Sequence, residues 1–183
     1  MKKLILLTAG ILMLGACNPA PDNTPKTANS ASLVEKVTGK KFFEYDEIDH
    51  YFNDYNGSSM NDLYRSKSPL DSLKADVILG NTPKDIFDLS FVDKLEKIGY
   101  KKSIVDKSKF AEIDKLFVEK KAIDPIAAAC IYVFRDILIF KRNNNIIGTA
   151  KICFRCRANQ ITGTSADTED FGQDGDYDVS GNF

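Results

Sequence analysis

Two apolar runs near the C-terminus limit the possible folds more than anything else in the chain. Cys130 to Lys141 reads CIYVFRDILIFK and Ile146 to Phe154 reads IIGTAKICF, and an Asn cluster separates them. Both runs are rich in β-branched and aromatic residues, so the pattern predicts a β-hairpin over 130–154. Asn tolerates a positive φ, which makes Asn143 and Asn144 the natural two-residue loop. That loop places Asp136 opposite Lys151, Phe140 opposite Ile147, Cys130 opposite Arg157 and Cys153 opposite Phe134. Apart from Arg135 and Asp136 the first run is apolar on both faces, which predicts a central hairpin with helices covering one side.

The preceding residues supply those helices. Ser59 to Arg65 reads as one or two helical turns. Ser68 followed by Pro69 is a cap and first position for a helix to about Leu79, stopped by Gly80 and Asn81. Phe91, Leu95 and Ile98 share a face after Asp88 or Ser90, and Gly99 closes that segment. Asp106 or Ser108 opens another helix, with Phe110, Ile113, Leu116 and Phe117 as its buried stripe and Lys120-Lys121 at its C-terminal end. Further upstream, Phe43, Tyr45 and Glu47 alternate with Phe42, Glu44 and Asp46, the signature of a short strand, before the pattern loosens at His50 and Tyr51. The fold class is α+β, with several short helices packed on a small antiparallel sheet containing the 130–154 hairpin.

Cys130, Cys153 and Cys156 gather at the base of the hairpin. Strict alternation would point Cys130 and Cys156 to opposite faces, so a disulfide between them needs a bulge near Phe154 to Cys156 to bring the second sulfur round. Cys130–Cys156 with Cys153 free is the first choice, and Cys153–Cys156 is the alternative. A thiol-redox pair in C-x-x-C is a competing reading, supported by Arg155 and Arg157, which would favour a thiolate. It lacks the helix N-terminus that such pairs use. Metal binding by the three thiols needs a fourth ligand, and His50 is the only histidine in the chain.

Other constellations are weaker. Gly57-Ser58-Ser59-Met60-Asn61 fails the G-x-S-x-G pattern at its last position. Asp46/Glu47 and Asp49/Asp54 read as solvated carboxylates rather than a glycosidase pair. Asp174, Asp176 and Asp178 alternate as in a calcium loop, but Val179 stands where such a loop needs Gly, and the closing Glu is missing. No catalytic residue, metal ligand or cofactor is assigned.

At the N-terminus, Met1-Lys2-Lys3 precedes an apolar run from Leu4 to Leu14 that is too short to span a bilayer, then Leu14-Gly15-Ala16-Cys17. These four residues resemble the lipobox of bacterial lipoprotein precursors. The resemblance implies cleavage before Cys17, a diacylglycerol thioether on its sulfur and acylation of its amine by a palmitate-type chain. Asn18 follows in place of Asp, which by the same resemblance favours the outer membrane in a cell with two membranes. The stretch from Cys130 to Thr164, with Arg135-Asp136, Phe140 and Lys151-Ile152-Cys153-Phe154-x-Cys156, is similar to the C-terminal part of a group of bacterial lipoproteins, a likeness that supplies no activity.

The expected organisation is a signal peptide over 1–16, a lipidated flexible tether over 17–32, a globular α+β domain over 33–163 and an acidic, loosely ordered tail over 164–183. Removing Lys2 and Lys3 moves the formal charge from −1 to −3, and the tail carries six acids and no base. The rest mixes both signs, an ordinary solvated surface without the basic patch that nucleic acid requires. The expected function is a non-enzymatic binding or structural module in the cell envelope. Cys17 would hold it to a membrane and an envelope protein would be its partner. The alternative is a thiol-redox or metal-binding protein using Cys130, Cys153 and Cys156.

Overall fold

The computed structural model describes residues 39–56, 60–66, 68–121 and 129–173 together with Gly175 and Tyr177. The signal segment, Cys17, the tether and the alternating Asp174, Asp176 and Asp178 lie outside these residues. In chain order the elements are β1 (Glu47–Phe52), α1 (Met60–Arg65), α2 (Pro69–Leu79), β2 (Lys101–Ile104), α3 (Phe110–Leu116), β3 (Asp136–Arg142), β4 (Asn145–Cys153) and β5 (Ala158–Thr162). The strands form one antiparallel sheet in the order β2-β1-β3-β4-β5. The architecture is therefore α+β, dominated by the sheet.

The β3–β4 hairpin turns at Asn143 and Asn144, whose φ values of 50° and 64° are what a two-residue loop with right-handed strand twist needs. Next to the turn Arg142 faces Asn145 and Lys141 faces Ile146, but Phe140 faces Gly148, so Ile147 is bulged out of the ladder. The bulge corrects the expected register. Beyond it every pair slips by one, so Asp136 faces Ile152 while Lys151 faces Ile137. Asp136 and Lys151 thus lie on opposite faces of the sheet. Gly148 is required here for another reason: a Cβ on it would lie 2.0 Å from the Phe43 ring, which stacks on Phe140 at 4.3 Å.

β3 is buried at five successive positions, Asp136 to Phe140, because both faces of the sheet are covered and not one. One face carries Ile48, Leu138, Phe140, Ala150 and Ile152 against Phe42, Phe43, Phe117 and Ile113 of α3. Phe171 and Tyr177, from the expected tail, are buried in this same cluster. The other face carries Tyr51, Ile137 and Ile139 against Val77 and Ile78 of α2 and against Phe91, Leu95 and Ile98. Each fully buried Phe, Leu or Ile contributes about 1.5–3 kcal/mol relative to its exposed state.

Three expectations for local structure are corrected. The N-terminal strand begins only at Glu47 and runs through His50 and Tyr51, where the alternation loosens, because β1 pairs on both sides and buries Ile48, Asp49 and Tyr51 alike. Phe42 and Phe43 precede it and enter the core from an irregular segment. The run expected as a helix closing at Gly99 is two tighter 3₁₀ turns, Val92–Lys94 and Glu96–Ile98, which keep the same buried stripe. The first hairpin run enters the sheet only at Asp136, since 129–135 is irregular and not paired as a strand. By contrast, α2 starts at Pro69 after Ser68 and ends at Gly80 in the left-handed conformation, as its residues imply. Among the described residues no helix is long and apolar enough to cross a membrane.

Candidate binding cleft beside the disulfide

Cys130 and Cys156 are joined by a disulfide with a Cα–Cα distance of 5.8 Å, and Cys153 is a buried free thiol. The device that turns Cys156 is a single 3₁₀ turn, Phe154–Cys156, ending in Arg157 with φ 48°. This interruption between β4 and β5 rotates the second sulfur out of strict alternation. Cys130 comes from the unpaired 129–135 segment, which is fixed on three sides. Phe134 N–H donates to Ile78 O at 2.9 Å, Asn53 N–H donates to Arg135 O at 2.9 Å, and the Tyr100 hydroxyl donates to Phe134 O at 2.7 Å. Burial pushes the Tyr100 hydroxyl well above the usual phenol range, which keeps it a donor.

Against this disulfide lies a cleft of about 420 Å³, lined by Tyr55, Asn56, Ile131, Val133, Arg135 and Arg155 as well as by Cys130, Cys153 and Cys156. Its volume falls in the range of small-molecule sites. Among the described residues no carboxylate lines it. The Tyr55 residue is only 9% exposed, and its hydroxyl is buried without a hydrogen-bond partner among the described residues. Asn53 fixes the loop beneath it, accepting from Tyr55 N–H at 2.9 Å. Ile131, 78% exposed, stands at the cleft with its side chain in solvent.

The remaining sequence candidates are placed elsewhere. His50 Nε2 lies 2.9 Å from Asp136 Oδ1, so its polar partner is a carboxylate on β3. Among the described residues no three His, Cys, Asp or Glu side chains converge as a metal site. Of the carboxylates expected to be solvated, Asp49 is instead buried, 1% exposed, where Lys141 bridges it to Glu47 and Lys102 holds it at 2.8 Å. Burial pulls the Lys141 ammonium down, but its hydrogen bonds to Asp49 and Glu47 more than offset this and leave it raised. Asp46 accepts from Asn143 N–H and so ties the hairpin turn to the start of β1.

Sequence reasoning missed Tyr55 and the role of Arg135 as cleft walls, and their signal is tertiary, since three separate segments meet there. It also missed Lys151, which is fully buried. Its ammonium donates to Thr82 O at 2.6 Å and sits 4.9 Å from the Phe134 ring centroid. Burial brings its pKa down to about 7, with only the charge of Asp76 acting the other way. Comparison with protein-family models, with characterised proteins and with solved structures returned no match.

Proposed function

We propose that this chain is a non-enzymatic binding module tethered to a membrane by lipid on Cys17, with the outer membrane favoured where a cell has two. The observation that carries the binding reading is the cleft beside Cys130–Cys156, a cavity of about 420 Å³ with apolar walls and two arginines. A disulfide persists in oxidising compartments and is rare where thiols are kept reduced, which supports an envelope location. The lipobox residues Leu14-Gly15-Ala16-Cys17 supply the anchor. A partner at the membrane surface would reach the cleft at the length of the Asn18–Ser32 tether.

The second reading, a thiol-redox protein, has one observation in its favour. Cys153 lines the same cleft as the disulfide, so a thiol and a disulfide share one cavity. Two experiments sort the readings. Fractionation of cells making the Cys17→Ser chain finds it released from membranes if lipid on Cys17 is the anchor, and retention through high salt and carbonate contradicts the tether. Thiol titration of the folded protein finds Cys153 slow to react if the cysteines are structural, whereas a fast, low-pKa thiol moves the assignment to redox chemistry.

A further inference from the structure

We propose that the cleft beside the disulfide binds a small organic anion, with a carboxylate or phosphate held by Arg135 and Arg155 and an apolar body against Ile131 and Val133. The proposal rests on the binding reading above and names its ligand class. Arg135 and Arg155 line one cavity, and among the described residues no carboxylate lines it with them. Neither Arg135 nor Arg155 forms an ion pair with a described residue. The planar, multi-donor fork of Arg matches a carboxylate or phosphate, and charge-assisted hydrogen bonds of this kind are the strong ones.

Tyr55 lies in the wall of the cleft and is held there by its backbone N–H, which donates to Asn53 Oδ1 at 2.9 Å. The wall opposite is equally fixed. The 129–135 segment is pinned at Phe134 and Arg135 and closed by the disulfide, so little ordering entropy is lost on binding. Two arginines beside the apolar side chains of Ile131 and Val133 suit a small amphiphilic anion, and a bare cation or a neutral sugar would leave the arginines unanswered.

The test is a titration of the full chain, followed by NMR, with butanoate, butyl phosphate and butanol as probes. Saturable binding of one or both anions with none of butanol is expected, and the tighter head group identifies the natural one. Arg135→Gln and Arg155→Gln should each weaken it by about tenfold, the loss of one charge-assisted contact. Absence of saturation by either anion overturns the proposal, as do equal binding of butanol and unchanged affinity in both arginine variants. The outcome is separable from the tether reading. A Cys17→Ser chain that stays on membranes removes the anchor and leaves this titration as it was.

Discussion

Lys151 shows how one residue can be placed on the wrong side of a sheet by a correct local argument. The Asn-Asn loop is right, yet one bulged residue, Ile147, exchanges the face of every residue beyond it. Lys151 therefore meets no Asp136 and enters the core beneath Thr82, with its pKa near 7. A lysine whose folded pKa is depressed leaves the unfolded chain binding more protons between about pH 7 and 10.5, so its burial penalty is full below pH 7 and fades as pH rises. Lys151→Met should stabilise the protein at pH 6 by about 2 kcal/mol or more, net of the donor lost to Thr82. Chemical denaturation of both proteins from pH 6 to 10 checks this, because the gap must narrow with rising pH. A gap that is constant or widens contradicts a buried, charged Lys151.

Among the elements, those with chemically explicit ends were the most legible. Ser68-Pro69 and Gly80 bound α2, and Asp106 caps the turn before α3 by accepting from Ser108 N–H at 2.8 Å. The hairpin loop was legible for the same reason, since few residues adopt positive φ twice in succession. Asn144→Gly should keep or raise stability, whereas Asn144→Val, a β-branched residue at φ 64°, should cost about 1–2 kcal/mol. Thermal melts of the two variants measure the difference, and equal melting temperatures would contradict the loop. The edge strands β2 and β5 were not legible. KKSI is exposed at all four positions and ANQIT is half-buried throughout, so neither shows a period-2 pattern to read.

At the level of the whole molecule, the missing information was which surfaces cover the sheet. An apolar run such as Asp136-Ile137-Leu138-Ile139-Phe140 announces a central strand, but only the fold reveals that α2 covers one face and the Phe42–Phe43–Phe117 cluster the other. The cleft is a product of that assembly, because Tyr55, the 129–135 segment and the turn after β4 approach it from distant parts of the chain. Its cysteines and Arg155 were visible in the sequence, and Tyr55 and Arg135 were not visible as its walls. Closing the loop between Cys130 and Cys156 contributes about 3 kcal/mol, so Cys130→Ala and Cys156→Ala should lower the melting temperature equally and non-additively, with Cys153→Ala milder. The most direct test of a cleft built on this bond is disulfide mapping by mass spectrometry of the native, unreduced protein, alkylated before and after denaturation. The account predicts a peptide cross-linked through Cys130 and Cys156, with Cys153 alkylated only once the chain is unfolded. A cross-link that includes Cys153, or alkylation of Cys130 and Cys156 without reductant, would contradict it.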